Sequence, residues 1–321
     1  MEIAERVLQG DRLALARLLT ALENDRPQGK AALDALFPRT GKAHIIGVTG
    51  PSGSGKSSLV NRLALQLAEA NDGQSTPRVA VLAVDPSSPF SGGALLGDRV
   101  RMRDLMEHPE IFIRSMASRG ALGGLARAAG ELVLALEAAG FDVILVETVG
   151  AGQSEVDIAR LAHTTLVVEA PGLGDDIQAA KAGILEIADI LVVNKSDKSG
   201  AESAAHALAA MLEIGAELKA EAENENNNWK VPVCLTSALN RTGIPELAET
   251  ISAHRAWLRE SGEWQRRADA RLEDLFNRLL RERLYADWQR SQPQANLSAA
   301  LEALRKHETS PYSLVERLFS L

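Results

Sequence analysis

The chain of 321 residues is long enough for one large globular domain with appended elements. Its 35 basic and 43 acidic residues give a net charge of −8, and there is no basic stripe with interleaved aromatic residues, so the composition indicates no nucleic-acid partner. No apolar run reaches the ~20 residues of a membrane-spanning helix, and the single cysteine, Cys234, cannot close an internal disulfide, so we expect a cytoplasmic protein without a membrane partner.

Short amphipathic helices are predicted at the start of the chain. Apolar residues recur there at helical spacing, and the segment RPQGK interrupts the pattern. The pattern predicts an N-terminal helical extension over residues 1–40. Its side chains predicted to be buried include Ile3, Val7, Leu13, Leu15 and Leu18.

Seven short β-rich runs follow from residue 44 onward. They are HIIGVT, RVAVLAV, IFIRSM, FDVILVE, TTLVVEA, ILVVN and VPVCLTS. Predicted helices separate most of them, at 56–70, 122–139, 175–188 and 201–220. Apolar strands that alternate with helices predict an α/β fold, in which a mostly parallel sheet of about seven strands is flanked by helices. We assign this fold to residues 41–258 and expect its ligand at the carboxyl ends of the strands.

Strand signals end at about residue 260. Three helical segments remain, EDLFNRLLRERLYADW, NLSAALEALRKH and YSLVERLFSL. They predict a C-terminal helical arm over residues 259–321, which either packs on the core or contacts a partner.

The stretch GPSGSGKSS follows the first predicted strand and precedes a helix. It contains the pattern G-x-x-x-x-G-K-[ST], whose glycines let backbone amides wrap a phosphate at a helix N-terminus. In this pattern Lys56 reaches the β- and γ-phosphates, and the Ser57 hydroxyl binds Mg²⁺. The stretch therefore predicts a P-loop NTPase. Its phosphate-binding residues are Gly50, Pro51, Ser52, Gly53, Ser54, Gly55, Lys56, Ser57 and Ser58.

The tetrad NKSD, at the end of the run ILVVN, favours guanine over adenine. Asp197 can accept two hydrogen bonds from the N–H groups of guanine, whereas adenine would leave the carboxylate unpaired. Taken alone, NKSD is equally an ordinary polar loop after a strand. A second loop, which follows Thr236 at a later strand end, places backbone amides where they can meet the guanine carbonyl oxygen. We therefore predict a GTP and GDP site whose base-binding residues are Asn194, Lys195, Asp197, Ser237, Ala238 and Leu239.

Acidic residues at strand ends are candidates for the metal and the γ-phosphate sensor. The run FDVILVE ends in Glu147, and Gly150 follows after two spacers, an arrangement in which a carboxylate orients Mg²⁺ and a glycine amide contacts the γ-phosphate. Asp85 follows another strand, and Asp98 either binds the metal or caps the helix DRVRMRDLM. Because Mg²⁺ takes few protein ligands, our order of preference beside Ser57 is Asp98, Glu147, Asp85. The predicted catalytic residues are Lys56, Asp98, Glu147 and Gly150.

The residue that positions the attacking water is not evident. Ala151, and not a glutamine, follows Gly150, and Gln153 comes only after Gly152. This predicts slow intrinsic hydrolysis that a moving loop or a partner completes. The cationic candidates, each of which is alternatively a surface charge, are Arg99, Arg101, Arg119 and Lys181.

Four segments resemble the ArgK/MeaB family of P-loop GTPases. They are VDPSSPFSGGALLGDRVRM, SRGALGGLARA, FDVILVETVGAGQSE and GDDIQAAKAGILEIADILVVNKSD, and the similarity runs through most of residues 44–250. The resemblance implies a chaperone for adenosylcobalamin-dependent acyl-CoA mutases, chiefly methylmalonyl-CoA mutase. It also implies a homodimer formed through the C-terminal helices, switch segments at 86–99 and 150–157, and a further mobile segment at 171–183.

Two other functions stay open beside a GTPase that serves a mutase. A kinase would transfer the γ-phosphate to an acceptor, but no histidine or aspartate is evidently devoted to that role. A metal-insertion GTPase usually carries a histidine or cysteine cluster, whereas the six histidines here are scattered and the cysteine is single.

Overall fold

A computed structural model of the chain describes residues 2–69, 76–85, 105, 107–117, 124–148, 154–172, 185–220, 229–291 and 294–319. The chain divides into two compact units, Met1–Arg271 and Leu272–Leu321. The division into domains at 1–40, 41–258 and 259–321 stays a prediction.

The described part of the chain contains a seven-stranded sheet in which every pair of neighbouring strands is parallel. The strands are β1 His44–Thr49, β2 Val79–Asp85, β3 Ile111–Ala117, β4 Val143–Glu147, β5 Thr164–Glu169, β6 Ile190–Val193 and β7 Val233–Leu235. Their order across the sheet is β3-β2-β4-β1-β5-β6-β7. The predicted α/β fold is confirmed, and each of the seven predicted β-rich runs corresponds to one strand, which lies inside the run or extends one residue past its C-terminal end. Since all the strands are parallel, their carboxyl ends meet at one edge of the sheet.

Helices cover the sheet and continue into the second unit. They are α1 Glu2–Leu8, α2 Arg12–Glu23, α3 Pro27–Leu36, α4 Lys56–Glu69, α5 Gly124–Ala138, α6 Ser154–Leu161, α7 Ala201–Ala220, α8 Ile244–Glu260, α9 Glu263–Ser291, α10 Gln294–Arg305 and α11 Pro311–Phe319. The helices predicted at 56–70, 122–139 and 201–220 are confirmed, as are the three C-terminal ones. The helix predicted at 175–188 lies mostly outside the described residues. None of the described helices is long and apolar enough to cross a membrane.

Two hydrophobic layers enclose the sheet. Ile45 of β1 packs into a cluster with α5 and the N-terminal helices, whereas its neighbour Ile46 packs into a cluster with α4 and α8. Successive residues of a strand point to opposite faces, so a sheet covered on both faces needs strands that are apolar at every position. All six residues of β1 are buried accordingly.

The N-terminal helices belong to the first of these layers. Val7, Leu15 and Leu18 are buried as predicted, and Ile3 is partly buried against them. The prediction for Leu13 was wrong, because this side chain is 56% exposed. The Asp11 carboxylate caps α2 by accepting hydrogen bonds from the amides of Leu13 and Ala14. The buried side chains of Leu15, Leu18 and Leu22 share one face of α2, and the helical period places Leu13 on the opposite face.

Candidate functional site

The loop between β1 and α4 needs glycine at its two ends. Gly50 has φ 133°, and a Cβ there would lie 2.1 Å from the carbonyl oxygen of Val168. Gly55 has φ 91°, and a Cβ there would lie 2.5 Å from Nδ2 of Asn194. Side chains at these positions would clash with buried atoms, so the tight wrap of the loop depends on both glycines.

Lys56 begins α4 and is 6% exposed. Its ammonium group donates hydrogen bonds to the carbonyl oxygens of Gly50 and Pro51, at 2.8 Å and 2.9 Å. The positive charge is therefore held against the loop at a helix N-terminus, where the amides and the helix dipole favour an anion. Together these groups form a site that can hold a phosphate chain.

The hydroxyl group of Ser57 donates a hydrogen bond to Oε1 of Glu147 at 2.6 Å. Glu147 ends β4, the neighbour of β1 in the sheet, and is 6% exposed. A hydroxyl and a carboxylate oxygen are ligands that suit Mg²⁺. Of the other predicted metal ligands, Asp85 ends β2, but its side chain is outside the described part, and Asp98 lies wholly outside it.

The buried side chain of Asn194 joins the phosphate loop to the strand ends beside it. Its Nδ2 donates hydrogen bonds to the carbonyl oxygens of Ser54 and Gly55, at 2.9 Å and 3.3 Å. Its Oδ1 accepts one from the Thr236 hydroxyl at 3.3 Å and one from the Ala238 amide at 3.2 Å. Asn194 therefore sets the distance between the phosphate-binding loop and the predicted base-binding loop.

Asp197 and Ser237 lie side by side, since the Ser237 hydroxyl donates a hydrogen bond to the Asp197 carboxylate. This hydrogen bond is the largest cause that lowers the pKa of Asp197, so the group stays ionised. An ionised carboxylate can accept two N–H groups from the edge of a base. Lys195 has φ 60° and donates to the carbonyl oxygen of Gly53, which lays its stem beside the phosphate loop.

These loops surround a cavity of about 340 Å³. Its lining residues are Gly55, Ser58, Asn61, Arg62, Asn194, Lys195, Asp197, Lys198, Ser237, Ala238 and Leu239. The size is that of a pocket for a small organic ligand. Asn61, Arg62 and Lys198 were missed by sequence reasoning. Helical periodicity was the available signal for the first two, because they lie three and four positions after Ser58 in α4.

Several predicted site residues lie outside the part of the chain that the structure describes. Gly150, the cationic candidates Arg99, Arg101, Arg119 and Lys181, the segment 86–99 and most of the segment 171–183 lie outside the described residues, as does Asp98. The residues that the structure brings together are the phosphate loop, Glu147, the NKSD tetrad and the loop Ser237–Leu239.

Comparisons with known proteins agree with this architecture. The sequence model of the family described as methylmalonyl-CoA mutase-associated GTPase MeaB matches residues 15–293. A putative GTPase of Pyrococcus horikoshii is 46% identical over 273 residues, which cover 85% of this chain and 83% of that protein. The GTPase ArgK of Escherichia coli is 38% identical, with coverages of 82% and 78%. The mitochondrial methylmalonic aciduria type A homolog of Caenorhabditis elegans is 30% identical, with coverages of 92% and 76%.

A solved structure described as an LAO/AO transport system kinase superposes with a TM-score of 0.72 at 28% identity, covering 99% of this chain and 96% of that one. The family match spans the sheet, the phosphate loop, the NKSD tetrad and the loop Ser237–Leu239. On these grounds the chain belongs to the ArgK/MeaB family of P-loop GTPases.

Proposed function

We propose that this GTPase hydrolyses GTP to GDP and phosphate in a Mg²⁺-dependent reaction and acts as a chaperone for an adenosylcobalamin-dependent acyl-CoA mutase, such as methylmalonyl-CoA mutase. In this role the nucleotide state gates cofactor loading and protects the mutase. The observation that carries the proposal is the match of residues 15–293 to the family of mutase-associated GTPases.

Different residues of the chain would bind the phosphates and the base of the nucleotide. The phosphate loop and Lys56 bind and orient the phosphates, and Lys56 would exchange its two carbonyl acceptors for phosphate oxygens. The Asp197 carboxylate would accept hydrogen bonds from the N–H groups at the edge of guanine, beside the loop Ser237–Leu239. Asn194 keeps the two ends of this site at a set separation.

Ser57 and Glu147 would hold the metal ion, since their oxygens already lie within 2.6 Å of each other. Bound Mg²⁺ would neutralise the negative charge that develops on the phosphate oxygens. Removing it with EDTA should stop phosphate release, and adding Mg²⁺ should restore it. Full activity in excess EDTA would contradict the metal dependence.

The mutase role is tested with the full chain and an adenosylcobalamin-dependent mutase from the same organism. We expect a complex in size-exclusion chromatography whose stability differs between GDP and a non-hydrolysable GTP analogue, and a faster GTP turnover when the mutase is present. A stimulated rate is expected because no glutamine follows Gly150 directly. No complex in any nucleotide state and no change in rate would leave a GTPase without this partner.

We also propose a homodimer formed through the C-terminal unit. Its helices leave large apolar side chains more than 40% exposed, which are Phe276, Leu280, Leu284, Tyr285, Leu301, Tyr312, Val315 and Phe319. Three of them recur every four residues along α9 and form one apolar stripe. Light scattering should report a dimer that Leu284→Glu dissociates and the matched variant Arg281→Glu on the same helix does not. A monomeric wild-type protein would contradict the dimer.

Transfer of the γ-phosphate to an acceptor is a second candidate, favoured by the description of the superposed structure as a kinase. GTP with a labelled γ-phosphate distinguishes the two reactions. For a GTPase the label appears as inorganic phosphate in step with GDP. For a kinase it appears on an acceptor, and GDP then forms without an equal amount of phosphate.

A further inference from the structure

The loop Ser237–Leu239, at the base end of the cavity, is fixed at its middle residue. The Ala238 amide donates to Oδ1 of Asn194 at 3.2 Å, and the Ala238 carbonyl oxygen accepts from Nε of Arg62 at 3.3 Å. Ala238 is buried, whereas Leu239 beside it is 82% exposed. Backbone hydrogen bonds between Ser237 and Thr242 close the loop, and the Asn194 and Arg62 side chains hold its middle residue, Ala238.

Arg62 belongs to α4, the helix that Lys56 begins. At 1.5 Å per residue, the two residues are about 9 Å apart along the helix axis. One rigid helix thus contacts the phosphate loop with its N-terminus and the base loop with its second turn. The strand before the loop Ser237–Leu239, β7, is three residues long and lies at the edge of the sheet.

We propose that Arg62 is a positioning residue that sets the preference of the cavity for guanine. By holding the Ala238 carbonyl, its guanidinium group keeps the backbone of the loop in place beside the guanine carbonyl oxygen. This role rests on the proposed function, in which a guanine nucleotide occupies the cavity. A hydrogen bond from a charged group is stronger than a neutral one, and a loop that is already ordered loses less entropy when the nucleotide binds.

If Arg62 has this role, replacing it should weaken recognition of the base and leave the binding of phosphates unchanged. Besides the backbone pair Ser237–Thr242, the loop Ser237–Leu239 is contacted by the side chains of Asn194, Asp197 and Arg62. Ligands that carry phosphates without a guanine should therefore bind the Arg62→Ala variant as they bind the wild type. Damage to α4 as a whole would instead weaken every phosphate ligand, because Lys56 and Ser57 lie on the same helix.

The test measures dissociation constants of GDP, ADP and inorganic tripolyphosphate for the wild type, Arg62→Ala and Arg62→Lys. Gln66→Ala is the matched control, because Gln66 lies one turn further along α4 and does not line the cavity. We expect Arg62→Ala to reduce the preference for GDP over ADP by roughly five- to tenfold, the scale of the net contribution of one hydrogen bond. Tripolyphosphate affinity should stay at the wild-type value, Arg62→Lys should restore part of the preference, and the control should match the wild type.

Either of two results would overturn the role of Arg62. One is an unchanged GDP to ADP ratio, and the other is a tripolyphosphate affinity that falls by the same factor as GDP affinity. Asp197→Asn, measured in parallel, separates this failure from failure of the guanine site. If Asp197→Asn loses the GDP preference while Arg62→Ala keeps it, the guanine site stands and the role of Arg62 is wrong. If the wild type itself does not prefer GDP, the guanine site is wrong as well.

Discussion

Replacing Asn194 with alanine should detach the phosphate loop from the base loop and destabilise the fold. The side chain is 1% exposed and makes four hydrogen bonds, to Ser54, Gly55, Thr236 and Ala238. The truncation removes a hydrogen bond from each of these partners, of which the Gly55 carbonyl oxygen keeps one from the Leu59 amide, and each buried unpaired group costs about 1–3 kcal/mol. Since the cavity lets water reach some of them, we expect the free energy of unfolding to fall by about 2–4 kcal/mol in total.

Urea denaturation followed by circular dichroism measures this change, and thermal unfolding should show a Tm lower by about 3–7 °C. The loss of alignment should also weaken GDP binding about 30-fold, the equivalent of about 2 kcal/mol. Asn240→Ala is the matched control, because Asn240 is exposed beside the same loop and its loss should change stability by less than about 0.5 kcal/mol. An Asn194→Ala protein as stable as the control would refute the structural role of this side chain.

Three further predictions concern the base, the phosphate and pH. Asp197→Asn should shift the preference from GTP toward xanthosine triphosphate, because the hydrogen-bond pattern at the base edge inverts; an unchanged preference in a binding assay would refute base reading by Asp197. Lys56→Ala should abolish phosphate release, and activity near that of the wild type would place the phosphates elsewhere. Burial lowers the pKa of His163 to about 2 and that of His254 to about 4, so both are neutral when folded and protonate on unfolding below pH 6.5. The free energy of unfolding should therefore fall by about 2 kcal/mol for each histidine between pH 6.5 and 5 in urea titrations, and His163→Gln should reduce this fall; an equal slope in the variant would contradict it.

Local patterns in the chain were sufficient to predict the fold and the phosphate loop. The mostly apolar strands indicated a sheet covered on both faces, and the alternation with helices indicated parallel pairing. The spacing of Gly50, Gly55 and Lys56 is a property of seven consecutive residues, so it required no knowledge of the tertiary structure. The helical period would also have given the exposed position of Leu13, because at 3.6 residues per turn Leu13 lies on the face opposite Leu15 and Leu18.

The sequence by itself determined which chemical groups are available to bind a guanine nucleotide, because its motifs place them at the ends of strands. Only the tertiary structure decided how those groups are held together. Ser57 contacts Glu147 across 90 positions, Asn194 contacts Ser54 across 140, and Arg62 contacts Ala238 across 176. These contacts arise because the sheet order brings β4, β1, β5, β6 and β7 side by side in an order that differs from their order in the chain. Arg62 belongs to no motif in the sequence. It lines the site because the chain that follows β7 passes beside its face of α4.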